Sequence, residues 1–356
     1  MRGGDAVIHA LEKEGVRYIS GFAGGIFSAR HERMGVEIAD GYARATGQVG
    51  VALTGTGPGA TNTLTGIAGA YADNIPVLLL MGQHPLGSMG REIQQEVPSS
   101  IFDSFVKWKG TMSRVEDIPA IMRRAFTNLR SASPGPVVLE MPQDVLMMEA
   151  PDEVLNYEPV GPGRRAAPDA ADIERAAEIL LNANFPIMNV GGGVLAAEAW
   201  DEALELAELM AMPVASTLVG KGAFPENHPL SVGGGVYPRS RYASGAAHIV
   251  NRRADAVLAV GNSFRLPNAT DGRPIPEGIY QADVPILADA KLALRSLIDA
   301  VRDRMGPGGP PSAARREEIV AEIREAKAKW HAEWEPTLND ESSPTNGYRV
   351  VQELMK

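Results

Sequence analysis

The sequence predicts an α/β protein built from two doubly wound parallel-sheet domains, and three observations lead there. First, short apolar strands without alternation recur at 49–54, 76–81 and 136–141, each separated from the next by a helical stretch. Strands of that kind are buried on both faces, as in a parallel sheet covered by helices. Second, glycine-rich turns follow strand after strand: Ala23-Gly24-Gly25, the run GTGPGATN, and Gly191-Gly192-Gly193. Third, a stretch rich in Pro, Gly and acidic residues at 151–169 interrupts the pattern, which then resumes.

Taken in order, residues 5–14 read as a helix stopped by Gly15, 16–22 as a short strand, and 32–46 as a helix ended by Gly47. The strand 49–54 runs into the glycine loop. A helix over 64–72, the strand 76–81, a helix over 118–129 and the strand 136–141 complete a first domain over 1–150, with a linker over 151–169. The second domain spans 170–305, with helices at 172–181 and 200–210 and strands at 186–190, 213–217 and 254–260. A Gly/Pro-rich stretch with a charged helix occupies 306–345, and 346–356 reads as the start of another element. Two intervals are short. A parallel crossover takes a dozen or more residues, yet Phe22 and Arg30 are close together. No strand separates ADAVLAVG from PILADAKLALRSLIDAV either. Both intervals are expected to have lost residues that belong to the polypeptide.

Composition sets the outer bounds. The chain has 356 residues, 44% hydrophobic and 22% charged, which suffices for a large core without metal or disulfide. It has no cysteine, which excludes disulfides, thiolate metal sites and a cysteine nucleophile. A net charge of -10 argues against nucleic acid or anionic membrane as partner. No apolar run approaches the roughly 20 residues of a membrane span, and a cytoplasmic location is expected.

Three segments carry chemistry: ARHERMGVEIADGYARATG (29–47), TGTGPGATNTLTGIAGAYADNIPVLLLMGQ (54–83) and SPGPVVLEMPQDV (133–145). In the first, a basic pair enters a helix at Glu32, and small residues Gly35, Ala39 and Gly41 line a packing face. An acid there is also favourable as a plain helix-start residue. A glycine loop like that of the second is by itself an ordinary strand-to-helix turn, and no GK[ST] follows to make it a phosphate cradle.

In order and spacing the three segments resemble the pyrimidine-binding domain of thiamine-diphosphate-dependent enzymes of the acetolactate synthase type. The stretch from PIMNVGGGV to ADAKLAL resembles the Rossmann-like central domain of the same family. The resemblance covers almost the whole chain. It implies thiamine diphosphate and Mg2+ as cofactors, a 2-keto acid or related carbonyl substrate, decarboxylase or carboligase (lyase or transferase) chemistry, and a homodimer or homotetramer. Glu32 then matches the glutamate that hydrogen-bonds the aminopyrimidine, so that the cofactor can lose its C2 proton. Thr56, Pro58 and Asn62, with Gly24 and Gly25, fall in the cofactor-binding set, and Gln95 matches a substrate-facing glutamine. His31 is expected to orient the start of the helix, and His84 is a candidate proton carrier.

Departures matter as well. Ala23 replaces a proline common in the family, and Gln94 replaces an aromatic residue. GGGVYPRSRY lacks a His-Gly, and GNSFRLPNAT lacks the Arg-Phe-Asp-Asp run, which together argue against FAD. No Gly-Asp-Gly…Asn-type motif is present, so the third, diphosphate- and Mg2+-binding domain is expected to be absent from this chain, and no metal ligand is assigned. The alternative is a non-catalytic or regulatory nucleotide-binding homologue.

Overall fold

The computed structural model describes residues 1–21, 29–91, 96–234, 247–263, 282–305, 309 and 311–355. The chain forms two compact units, Met1–Arg164 and Arg165–Lys356.

The first unit opens with α1 (Gly3–Lys13), whose buried face is Gly3, Ala6, Val7, Ala10 and Leu11. Then come β1 (Ser20–Gly21), α2 (Glu32–Thr46), β2 (Gly50–Thr54), α3 (Pro58–Ala72) and β3 (Val77–Gln83). They are followed by β4 (Trp108–Thr111), α4 (Ile118–Arg130), β5 (Val137–Pro142) and the short α5 (Gln143–Met147). The five strands are parallel, in the order β1-β2-β3-β5-β4. Leu78 and Leu80 of β3 point into one apolar cluster with α1 and α4, while Val77, Leu79 and Met81 point into another with α2 and α3. The period of two along a fully buried strand thus feeds two helix layers.

β1 pairs with β2 in parallel, and α2 lies between them in sequence. β4 escaped the sequence pattern because WKGT, all partly exposed at the sheet edge, has no apolar run.

The second unit contains α6 (Ala170–Asn182), β6 (Pro186–Val190), α7 (Gly192–Ala196), α8 (Trp200–Met210), β7 (Val214–Ser216) and β8 (Ser231–Gly234). After these come α9 (Ala247–Val250), β9 (Ala256–Val260), α10 (Ala290–Met305), α11 (Ala313–Leu338) and α12 (Gly347–Leu354). Its parallel sheet runs β8-β7-β6-β9 among the described residues. The strand β8 also went unread in the sequence, since SVGG carries one apolar side chain. The charged helix α11 is no free linker: Ile319, Ile323 and Ala326 join the core of this unit. No helix among the described residues is long and apolar enough to cross a membrane.

The 151–169 stretch divides between the units. Its first part is clamped onto the first unit by the Glu14 carboxylate, whose side chain is 0% exposed. Oε2 accepts from Arg130 Nη1 at 2.5 Å, and Oε1 accepts from the Tyr157 hydroxyl at 2.5 Å and from Val160 N at 2.8 Å. Removing one member of a buried pair strands the other charge, so Glu14→Ala is expected to cost about 3–5 kcal/mol in urea unfolding.

Tyr157 holds its proton well above the ordinary tyrosine range, first because of burial and then because of its bond to Glu14. The folded chain binds this proton more tightly than the unfolded chain. Its contribution is therefore present below the unfolded value of 10.0 and drains away as pH rises beyond it. Tyr157→Phe is expected to flatten the alkaline limb of stability against pH, measured beside the parent protein.

Candidate functional site

The site lies at the carboxyl edge of the first sheet, where β2 hands over to α3 and α2 begins. Two small-residue approaches build it. Gly35 of α2 lies so close to β1 that an added Cβ would be 3.0 Å from the Gly21 Cα. A Cβ on Gly66 of α3 would be 2.8 Å from the Val36 Cβ, so α2 and α3 pack almost backbone to backbone. These approaches bring the first turns of the two helices side by side.

Glu32 is the first residue of α2, and His31 caps that helix by accepting from Arg33 N through Nδ1 at 3.2 Å. His31 therefore orients the helix start, as expected. The Glu32 side chain is half-buried, and its Oε2 accepts from Asn62 Nδ2 at 3.0 Å. Among the described residues it enters no ion pair: Arg33, beside it, is paired with Glu37 at 2.6 Å. The carboxylate thus sits at a helix N-terminus, where the macrodipole favours negative charge, and its one described hydrogen bond leaves the other oxygen available.

The GTGPGATN segment is less of a loop than the sequence suggests. Pro58 occupies the first turn of α3, where its missing N–H costs nothing, so the helix takes in Pro58 through Asn62. Asn62 consequently faces α2 one turn into the helix instead of lying on an irregular loop. Gly57 is the cap, with φ 57 and ψ -118, a conformation that side chains resist. Thr56 is half-buried, and its carbonyl accepts from Gly59 N at 3.1 Å. A Cβ on Gly59 would lie 2.9 Å from Thr54 Oγ1 and 3.7 Å from Glu32 Oε1. Thr54 itself is 2% exposed, and its hydroxyl has no hydrogen-bond partner. Sequence reasoning passed over Thr54 as a strand end; its signal was a polar residue closing an otherwise apolar buried strand.

Of the sequence-predicted residues, the structure bonds Glu32 to Asn62, while Thr56 lies on the turn that leads into the helix carrying Asn62 and Pro58 opens that helix. Gly24, Gly25 and Gln95 lie outside the described residues. Beside Gln95, the Glu96 carboxylate accepts from Gly90 N at 2.6 Å. At the end of β3, Gln83 accepts from His84 N and donates to the Val97 carbonyl at 2.9 Å. His84 Nε2 is buried without a partner. In the second unit, Gly191, Gly193 and Gly261 meet backbone against backbone, and Gly193 N donates to the Gly261 carbonyl at 2.9 Å. Those glycines are accounted for by the packing of β6 against β9. Among the described residues no cluster of His, Asp and Glu forms a metal site.

Comparison with known proteins agrees with this geometry. The family model described as thiamine pyrophosphate enzyme, N-terminal TPP binding domain, matches residues 25–103, and that of the central domain matches residues 173–297. The chain belongs to the thiamine pyrophosphate-dependent, acetolactate synthase-like family. A probable acetolactate synthase large subunit from Methanocaldococcus jannaschii is 32% identical over 403 residues, covering 100% of this chain and 64% of the relative. The large subunit of acetolactate synthase isozyme 3 from Escherichia coli is 33% identical, over 84% of this chain and 58% of its own length. A crystal structure of a candidate thiamin diphosphate-dependent enzyme from Mycobacterium smegmatis superposes with a TM-score of 0.72 at 24% identity, covering 88% of this chain and 66% of the other, which supports the fold. The chain thus spans under two thirds of the length of these two acetolactate synthase relatives. The first alignment is longer than the 356-residue chain, so that relative has stretches without a counterpart here, in keeping with the short intervals seen in the sequence.

Gly57→Ala is expected to destabilise the first unit by about 1–3 kcal/mol, because a side chain is forced into a region that glycine alone occupies readily. Urea unfolding of the two proteins under one set of conditions measures it.

Proposed function

We propose that this protein takes part in thiamine-diphosphate-dependent cleavage or formation of a carbon–carbon bond in a 2-keto acid, as a decarboxylase or carboligase of the acetolactate synthase type. The observation that carries the reading is the Glu32 carboxylate. It is half-buried at the α2 N-terminus, gripped on one oxygen by Asn62, and turned with the other toward the Gly59 turn. A non-catalytic nucleotide-binding homologue has no use for an acid held in this way.

The residues present fit the pyrimidine end of the cofactor. Glycines at 55, 57 and 59 keep side chains away from the approach, and the acid is placed to hydrogen-bond a ring nitrogen. When bound, the cofactor supplies the nucleophilic carbon that adds to a keto group. The chain's own part is to hold a proton at Glu32 Oε1, to fix the carboxyl plane through Asn62, and to border the ring with Thr56 and Pro58. Gly24 and Gly25 belong to the same wall in this reading, and Gln95 faces the substrate. The diphosphate and Mg2+ are held outside the two matched domains. FAD is not part of this reading, since the central glycines are accounted for by the contact between β6 and β9.

A homodimer or homotetramer goes with the proposal. The outer face of α2 exposes Met34 and Ile38 one turn apart, and the Tyr18 ring lies edge-on to Tyr42 at 5.7 Å beside them. A second copy seated there would take this apolar stripe, and the mouth beside Glu32, out of water. The composition, free of cysteine, supports a cytoplasmic setting.

Titration calorimetry with thiamine diphosphate plus Mg2+, against FAD and NAD, tests the assignment. Binding of the first alone is expected, and binding of FAD or NAD alone overturns it. In the complete enzyme, Glu32→Gln is expected to lower turnover by about 10²–10⁴-fold, the usual scale for losing an acid–base group, with an unchanged unfolding midpoint. Full activity in that variant would remove Glu32 from the chemistry.

A further inference from the structure

Thr54 is the one buried hydroxyl at this edge of the sheet whose position the fold does not explain. It closes β2 at 2% exposure, and its Oγ1 has no hydrogen-bond partner. A buried donor left unmade costs about 1–3 kcal/mol, and valine would fill the same volume without that cost. Three nearby hydroxyls are satisfied by local carbonyls: Ser20 by Gly35 O, Thr61 by Pro58 O, and Thr63 by Ala60 O. Thr54 is the exception, and it borders the one acid of the site. The point above Gly59 where a Cβ would stand has Thr54 Oγ1 at 2.9 Å and Glu32 Oε1 at 3.7 Å as its two nearest neighbours. Gly59 offers only a hydrogen there, so no side chain separates the hydroxyl from the carboxylate. Asn62 already holds Oε2. Oε1 is the acceptor left over, and the Thr54 hydroxyl is the donor left over.

We propose that Thr54 is a positioning residue for Glu32: its hydroxyl, unpartnered in this structure, closes onto Oε1 of the carboxylate by side-chain rotation and forms with Asn62 a two-sided grip that sets the carboxyl plane. The role deepens the proposed function and rests on that reading for its purpose, though not for its detection. The grip presents the acid in a fixed orientation before the pyrimidine arrives, so that less side-chain freedom is lost on binding. Gly59 is the gap through which the two groups meet.

The test reads Glu32 directly. The protein is labelled with 13C at the glutamate side-chain carboxyls and studied without cofactor, and the Glu32 resonance is assigned by its loss in Glu32→Gln. Thr54→Val removes the donor at nearly constant volume, Thr54→Ser keeps it, and Gly59→Ala places a methyl 2.9 Å from Thr54 Oγ1, which displaces the hydroxyl without changing either side chain's chemistry. The Glu32 resonance is expected to move in Thr54→Val and Gly59→Ala and to stay in place in Thr54→Ser. Near-ultraviolet circular dichroism confirms that each variant is folded. If Thr54 were a core filler only, valine would leave the resonance where it is in the parent, and that result overturns the proposal. Should Thr54→Val not fold, the Gly59→Ala and Thr54→Ser pair decides on the same criterion. Thiamine diphosphate binding forms a separate arm, with several-fold weaker binding expected in Thr54→Val and parental binding in Thr54→Ser. A parent that binds no thiamine diphosphate would count against the proposed function, while the cofactor-free resonance would still decide the role of Thr54.

Discussion

The site depends on how closely α2 and α3 approach each other and the sheet beneath them. A half-buried carboxylate is useful only if something holds it, and here the holder comes from the neighbouring helix through the 3.0 Å bond from Asn62. That bond exists because Gly35 rests on β1 and Gly66 rests on Val36. Any larger side chain at either position would push the helices apart and leave Glu32 to water. An acid in water is an ordinary helix-start residue, stabilised slightly by the dipole. The same acid fixed beside a glycine turn can serve a heterocycle. The packing of small residues is therefore what holds Glu32 for the proposed chemistry, and the hydrophobic core below it provides the rigid base.

This division of labour shows in what the sequence disclosed. The elements that build the base were readable, because burial writes itself as apolar runs: α2, β6 and α8 fall where their periodicity puts them. Edge strands such as β4 and β8 were not, because an edge position needs no apolar run and WKGT and SVGG have none. The start of α3 was hidden by its own proline and glycines, which read as loop although proline is at home in a first helical turn.

The site was legible in a similarly uneven way. Glu32 and Asn62 were visible because the order of the segments resembled a family, and no periodicity would have paired two residues on separate helices. Thr54 was invisible for the converse reason. Its importance lies in a hydrogen bond that is missing, and a sequence records which groups are present without recording which of them are satisfied.

The two glycine-rich turns among the described residues look alike on paper and do opposite things. In the second unit, Gly191, Gly193 and Gly261 let backbones of the same core touch, and a Cβ at any of them would strike main chain. In the first unit, a Cβ at Gly59 would crowd the Thr54 hydroxyl and touch the Glu32 carboxylate, both of them functional groups able to exchange hydrogen bonds. What a glycine keeps empty therefore distinguishes a structural turn from a reactive one: where the space is bounded by main chain, the glycine serves packing, and where it is bounded by unsatisfied side chains, it keeps a path open between them. By that criterion the turn after β2 is the one suited to the proposed chemistry, and the central turn belongs to the scaffold.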